Sequence, residues 1–385
     1  MPLLNRLVVA TGLLIGLAGC GGGSSTNAPG SPGDPGTDPG SGEPRATCQQ
    51  DFTPERVAAG ENCDPNLNRT QFCPLVPGAE YLRSRSEVIA CDGVTVSKHP
   101  IVGGGFQTDY IAIRSSAGGA PSAVYLALHY LGASADYQAN LTRLSELAKA
   151  RNVLVVVPQA PGIGGLLPLP DGLPPVDGNF LARWPTALSQ PVESYLQLLD
   201  ATVADARVRF GAGSAPLYAA GLSNGVPMAY FYACGRADRV DAILAVAGNQ
   251  NNESASACQP SRAVGLVIIH GTADPIIAYG GLLGLTRPIP TNFEDFKALN
   301  QCVGSDGEAT LVGAQGDVRL DFAPDCAGGR RVVLASLLGG GHNWPGDDSG
   351  LLLGLDLPVG PFGPARNDID ATIQGFDLLR YAAGD

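Results

Sequence analysis

Five residues past the middle of the chain, Gly221-Leu222-Ser223-Asn224-Gly225, have the form Gly-x-Ser-x-Gly. The apolar run Leu217 to Gly221 leads into them, and a helix-like stretch reaching Cys234 follows. In a strand–turn–helix setting this form puts a serine on a turn so sharp that its backbone is strained, with the hydroxyl held in the open. The flanking glycines let strand and helix approach without a clash. A hydroxyl of this kind attacks a carbonyl only if a base lies within hydrogen-bonding reach and a third group orients the base. Without such partners, Ser223 is an ordinary residue of a glycine-rich turn.

The chain has four histidines to serve as that base: His99, His129, His270 and His342. His99 lies next to a proline ahead of the main domain and reads as a surface residue. His129 and His270 each end an apolar strand just before a glycine-containing turn, where a buried imidazole braces a loop. His342 stands in Gly339-Gly340-Gly341-His342-Asn343-Trp344-Pro345-Gly346, after the run Arg331 to Ser336, and three glycines there let the backbone come close. It is the candidate base. For the orienting acid, Asp274 in His270-Gly271-Thr272-Ala273-Asp274-Pro275 lies a few residues past a strand end, and its chain position gives the order Ser, Asp, His. Taken alone it reads as an Asx turn before a proline. Asp295 and Asp306 are rivals, one in a helix-like stretch and the other in a polar loop.

Groups so far apart in the chain must be gathered by regular elements. Strands are expected over Tyr110 to Arg114, Ala123 to His129, Val153 to Val157, Leu217 to Ala220, Ala242 to Ala247, Gly265 to His270 and Arg331 to Ser336. Helical spacing recurs between them: Leu141, Leu144, Leu147 and Ala148; Tyr195, Leu196, Leu199 and Val203; Ala229, Tyr230 and Ala233. Strand and helix in alternation predict an α/β fold with a mostly parallel sheet flanked by helices. Ligands of such sheets bind beyond the carboxyl ends of the strands, which is where the three candidates fall. Residues 48–100 carry four cysteines and an expected hairpin, with Val88-Ile89-Ala90 and Val94-Thr95-Val96 around Cys91-Asp92-Gly93. They read as a disulfide-stapled N-terminal extension to a catalytic domain over 101–385.

Composition excludes whole classes of function. The chain has 385 residues, 24 Lys plus Arg against 36 Asp plus Glu, and a net charge of −12. With no basic run, it would be repelled by nucleic acid. The longest apolar run, Leu7 to Ala18, is too short for a permanent membrane span. Arg6, the apolar stretch to Leu17 and the closing Leu17-Ala18-Gly19-Cys20 make residues 1–19 a signal peptide. The last four residues resemble a bacterial lipobox, in which Cys20 becomes the lipidated first residue. Gly21, rather than Asp, then resembles an outer-membrane address in a Gram-negative bacterium. Residues 20–47, nearly all Gly, Ser, Pro, Asp and Thr after the cysteine, are expected to be a disordered tether. Setting Cys20 aside from the nine cysteines leaves Cys48, Cys63, Cys73, Cys91, Cys234, Cys258, Cys302 and Cys326. An even count in an exported chain predicts four disulfides, with pairing left open by the count. No two of these cysteines stand two residues apart and no histidine lies beside them, so neither a metal nor another cofactor is expected. A monomer is expected.

The residues Gly221 to Gly225, His270 to Asp274 with Tyr279-Gly280-Gly281, and Gly339 to Gly346 resemble those of the poly(3-hydroxybutyrate) depolymerase and feruloyl-esterase-like branch of the α/β-hydrolases. The resemblance runs from Tyr110 to Tyr381 and takes in Val157-Pro158-Gln159, Trp184 and Asp368-Ile369-Asp370-Ala371. It implies the α/β-hydrolase fold, with Ser223 as nucleophile, His342 as general base and then acid, and Asp274 as the group that orients the imidazole. It also implies a Cys302–Cys326 bridge, and a Cys234–Cys258 bridge beside it. The Asn224 N–H would be one oxyanion donor, and the second would come from Leu131 or Tyr130. Here the chain departs from the family, reading His129-Tyr130-Leu131-Gly132 where His-Gly-Cys is usual. It also has Val226-Pro227-Met228 after the nucleophile in place of Gly-Met-Met. A proline near a helix start is tolerated, because the N–H groups there lack partners anyway.

Three stretches beyond strand ends are apolar and rich in Gly and Pro: Pro161 to Leu181, Ile276 to Pro290, and Leu351 to Pro364. Trp184, Trp344, Leu351, Leu352 and Leu353 are the expected substrate rim. Such a rim fits an ester substrate that is a hydrophobic polymer, an aliphatic polyester such as polyhydroxyalkanoate; the bland reading is a packed lid. A feruloyl or acetyl esterase of plant polysaccharide is the alternative, although sugar recognition would call for more aromatic residues than the two tryptophans present. A surface lipoprotein that only binds is the second alternative.

Overall fold

The computed structural model describes residues 51–65, 87–161, 182–282, 286–346 and 362–385. All belong to the unit Arg45–Asp385. Cys20, the tether, Cys48, Cys73, most of the first apolar loop and Leu351 to Leu353 lie outside the described residues.

Ten strands form one sheet: β1 Val94–Gly103, β2 Phe106–Ser115, β3 Val124–Leu128, β4 Leu154–Pro158, β5 Leu217–Leu222, β6 Ala242–Val246, β7 Gly265–Gly271, β8 Gly307–Leu311, β9 Val318–Ala323 and β10 Val332–Leu337. Their order is β1-β2-β4-β3-β5-β6-β7-β10-β9-β8. The six middle strands, β4 to β10 in that order, run parallel, and an antiparallel pair closes each side. Every residue of β3, β4, β5, β6, β7 and β10 is buried, as a parallel sheet covered on both faces requires.

Alternation along each strand sorts the core into two layers. Tyr125, Val155, Tyr218, Leu244, Val267 and Val333 face one way, towards helices α2 (Ala135–Leu141), α3 (Leu144–Arg151) and α8 (Ile373–Ala383). Leu126, Val156, Ala219, Ile243, Leu266 and Leu334 face the other, towards α4 (Val192–Phe210), α5 (Gly225–Gly235) and α7 (Ile289–Leu299). Two short helices, α1 (Pro54–Ala58) and α6 (Asn252–Ala257), complete the described set.

The expected hairpin around Cys91 is not formed. Val94 to Val96 instead begin the long strand β1, which pairs with β2 from Val94↔Ser115 to Gly103↔Phe106. Gly104 and Gly105, with φ of +59° and +83°, make the two-residue connection that right-twisted strands favour. The boundary expected at residue 100 therefore falls inside a strand of the main sheet. Phe52 is fully buried, its N–H donating to Asp377 Oδ2 on α8 at 3.3 Å, and Gln374 Nε2 donates to the Cys63 carbonyl at 2.7 Å. Cys234–Cys258 ties the end of α5 to the end of α6, and Cys302–Cys326 ties the end of α7 to the segment after β9. Cys63 and Cys91 are disulfide-bonded too.

Candidate active site

Ser223 stands between the last residue of β5 and the first of α5, with φ at +52°, a left-handed conformation that costs a non-glycine residue about 1–2 kcal/mol. Two backbone hydrogen bonds hold it there: Ser223 N–H donates to the Val246 carbonyl at 3.0 Å, and Val226 N–H to the Ser223 carbonyl at 3.0 Å. The glycines on either side are needed for approach. A Cβ on Gly221 would lie 2.4 Å from the Gly225 backbone, and one on Gly225 would lie 2.2 Å from the Leu128 carbonyl oxygen. Pro227 sits in the first turn of α5, where it removes no intrahelical hydrogen bond.

Because β5, β7 and β10 are parallel, their following loops gather on one edge of the sheet. His342, in the loop after β10, is buried, and its N–H donates to the Phe362 carbonyl at 2.6 Å. The Ser223 hydroxyl lies 3.0 Å from His342 Nε2, and His342 Nδ1 lies 2.8 Å from Asp274 Oδ2. The loops after β7 and β10 touch so closely that a Cβ on Gly271 would fall 2.2 Å from the Gly340 carbonyl oxygen. Asp274 Oδ1 accepts from Ile276 N–H and Ile277 N–H, both at 2.8 Å. Burial works against a charged Asp274, but hydrogen bonds from His270 and His342 outweigh it and hold the carboxyl well below the usual carboxylate range. An ionised Asp274 fixes the His342 tautomer with hydrogen on Nδ1, leaving Nε2 to take the serine proton. This is the α/β-hydrolase fold.

The other candidates go elsewhere. Asp295 pairs with Arg287 at 3.1 Å and Asp306 with Lys297. His99 lies in β1 with Nε2 2.8 Å from Ser97 Oγ and its ring against Phe210. His129 braces a loop as expected: it bridges the Tyr130 carbonyl, 2.8 Å from Nδ1, and the Ala160 N–H, 3.0 Å from Nε2. Burial lowers its pKa to about 4. His270 is buried and 2.8 Å from the Ile277 carbonyl through Nε2, but it also lies 3.2 Å from Asp274 Oδ2, a contact its place in the sequence does not disclose. Among the described residues no group of three or more His, Cys, Asp or Glu is arranged to hold a metal ion.

Neither the Asn224 N–H nor the Leu131 N–H has a hydrogen-bond partner among the described residues, so both are available to an oxyanion. The Leu131 side chain is exposed, whereas Tyr130 is buried against Tyr137. Gly132, at φ +75°, turns the chain between them and the Ala182 carbonyl, which accepts its N–H at 2.9 Å. The Asn224 side chain pairs with the Trp184 backbone, accepting its N–H at 2.8 Å and donating to its carbonyl at 3.2 Å. Trp184 Nε1 donates to the His129 carbonyl at 2.9 Å. Residues 182–184 thus strap the two expected donors together from behind.

That strap corrects the reading of Trp184 as a substrate-rim residue, since its side chain is fully buried. Trp344 is buried too, its indole N–H donating to Thr372 Oγ1 at 2.9 Å. Large rings whose N–H finds an internal acceptor stay inside. The exposed apolar side chains at this edge of the sheet are others: Leu131 after β3, Leu188 before α4, Ile276 and Leu282 after β7, and Leu338 after β10.

No protein-family model matches the chain. Over 136 residues it is 29% identical to feruloyl esterase B of Piromyces equi, a stretch covering 33% of this chain and 24% of that protein. Over 148 residues it is 31% identical to NocK of Nocardia uniformis subsp. tsuyamanensis, named as an esterase, covering 34% of this chain and 42% of that one. The match thus spans less than half the length of either relative. Among solved structures, acetyl xylan esterase from Aspergillus awamori aligns at a TM-score of 0.43 and 13% identity, covering 64% of this chain and 94% of that one.

Proposed function

We propose that the protein is a serine esterase that cleaves carboxylic esters through an acyl-enzyme. The observation that carries this reading is the unbroken line of hydrogen bonds from Ser223 Oγ through His342 to Asp274, with Ser223 on a strained turn. As Ser223 Oγ bonds to the ester carbonyl carbon, its proton passes to His342 Nε2. The carbonyl oxygen gains the negative charge, against the N–H groups of Asn224 and Leu131. When the carbonyl re-forms, the C–O bond to the alcohol breaks and the alkoxide takes the proton from His342. A water molecule then repeats the sequence on the acyl-enzyme, giving the carboxylic acid and free Ser223.

The favoured substrate is a hydrophobic polymer, an aliphatic polyester such as polyhydroxyalkanoate. Five exposed apolar side chains on the site edge support it. A feruloyl or acetyl esterase is the second reading, favoured by the name of one distant relative. The proposed setting is the outer membrane or cell surface, reached through a lipid on Cys20; loss of detergent partitioning in Cys20→Ser would test the anchor. Hydrolysis of poly(3-hydroxybutyrate), other aliphatic polyesters, methyl ferulate and short p-nitrophenyl esters separates the substrates. A fluorophosphonate probe that fails to label Ser223 would remove the esterase reading altogether.

A further inference from the structure

The carboxylate of Asp274 is shared between two imidazoles. Oδ2 receives His342 Nδ1 at 2.8 Å and His270 Nε2 at 3.2 Å, while Oδ1 is taken by the N–H groups of Ile276 and Ile277. His270 Nε2 also lies 2.8 Å from the Ile277 carbonyl oxygen. With two acceptors around it and no donor, Nε2 must carry the ring hydrogen. Its Nδ1 is buried without a partner among the described residues, so the ring's only hydrogen bonds point towards the 274–277 turn. The ring itself cannot drift. His270 is the last but one residue of β7, in the interior of the sheet and in register with Ser336 of β10. Ser336 Oγ in turn meets the Tyr279 hydroxyl at 2.6 Å, and the Tyr279 ring packs edge-on against His270 at 6.0 Å.

We infer that His270 is a positioning residue of the triad: its Nε2–H, anchored in the sheet, aims Asp274 Oδ2 at His342 Nδ1. Asp274 lies three residues past the end of β7, in a turn whose backbone is tied to strand ends, the Thr272 N–H to the Leu337 carbonyl at 2.9 Å and its own N–H to the Gly271 carbonyl at 3.3 Å, but of the partners of its side chain only His270 stands inside a strand. His270 therefore transfers the rigidity of β7 to the carboxylate, and through it to the orientation of His342. The inference rests on the triad reading above. It goes beyond a loop brace, because a brace alone requires only the Ile277 carbonyl.

The test compares His270→Leu, His270→Gln and His270→Asn in the full-length protein in detergent, with turnover expressed per fluorophosphonate-reactive site. Gln can place an amide N–H where Nε2–H stands; Asn is a bond too short and Leu has no donor. In Leu and Asn, kcat for a short p-nitrophenyl ester is expected to fall roughly ten- to a hundredfold with KM unchanged, the scale of a slightly misplaced catalytic group. In Gln most of the kcat should return. The low-field proton resonance of the His342–Asp274 hydrogen bond should move in Leu and Asn and stay in Gln. Should Leu fail to fold, the Gln and Asn pair decides. Equal kcat in Gln and Asn, or wild-type kcat in either Leu or Asn, would overturn the inference. Retained hydrolysis in Ser223→Ala would instead overturn the triad, a separate outcome.

Discussion

At the scale of single residues, the proposed nucleophile and base would act as one device. A serine hydroxyl without an acceptor for its proton is as inert as no serine at all, so Ser223→Ala and His342→Ala are each expected to lower kcat by about 10⁶-fold. The double mutant should turn over no more slowly than either; Ser223→Ala should melt near or slightly above the wild-type temperature, whereas His342→Ala, which takes a hydrogen-bond partner from buried Asp274, should melt below it. Removing Ser223 relieves no buried hydrogen bond other than the one to His342 Nε2. Single-turnover and steady-state rates on p-nitrophenyl acetate are the check. Additive losses would mean that the two groups act apart. The strain at Ser223 is legible from sequence for the same reason: few residue combinations tolerate φ at +52° between a strand and a helix, with backbone 2.4 Å from where a Cβ would be.

At the scale of elements, β3 and β4 are parallel neighbours whose carboxyl ends are joined by a side chain. His129 takes the Ala160 N–H on Nε2 and gives its Nδ1 hydrogen to the Tyr130 carbonyl, so a second proton has no acceptor and would expel the Ala160 N–H. With a folded pKa of about 4 against an ordinary 6.5, the unfolded chain binds a proton between those values that the folded chain refuses. Above pH 6.5 neither state is protonated there and nothing is lost. As pH falls from 6.5 to 4, stability should fall by up to about 3 kcal/mol from this group alone. Urea unfolding across that window should show a shallower pH slope for His129→Gln than for wild type. An identical slope would show that His129 takes its proton in the fold.

At the scale of the whole molecule, the site edge of the sheet carries an apolar surface that neither tryptophan supplies. Leu188, Ile276 and Leu282 are exposed there and make none of the side-chain contacts of the triad. If they dock on polymer, replacing all three by Ser is expected to weaken adsorption to polyester granules by at most about 2 kcal/mol per side chain. Turnover of a short p-nitrophenyl ester and the melting temperature should hardly change. A parallel fall in binding, turnover and melting temperature would mean that these side chains pack the loops instead. A polyester surface is flat and uncharged, so a net charge of −12 neither helps nor hinders this contact, while keeping the protein apart from polyanions.

The features determined by sequence alone are those with few physical solutions. Gly221, Gly225 and Gly341 mark places where backbone meets backbone, and Gly339 a turn at φ +78°; glycine suits both. Six of the seven expected strands were legible because parallel strands, buried on both faces, are continuous apolar runs; the seventh, in β2, is antiparallel but buried from Tyr110 to Ile113. β8 and β9 were not, because in this outer antiparallel pair, Gly307–Leu311 at the edge and Val318–Ala323 beside it, polar or charged residues alternate with buried ones and read as loop. The register of β1 was not either: Val94 to Val96 suit a local hairpin as well as the ten-residue pairing with β2, and the twist and closure at Gly104-Gly105 decide between them. Nor could composition say that Trp184 lies against Asn224, an expected oxyanion donor, or that His270 reaches Asp274. A strand-end residue is known to be near the site from its period, but its direction is set by the neighbours that pack around it, and those come from chain positions that only folding brings together.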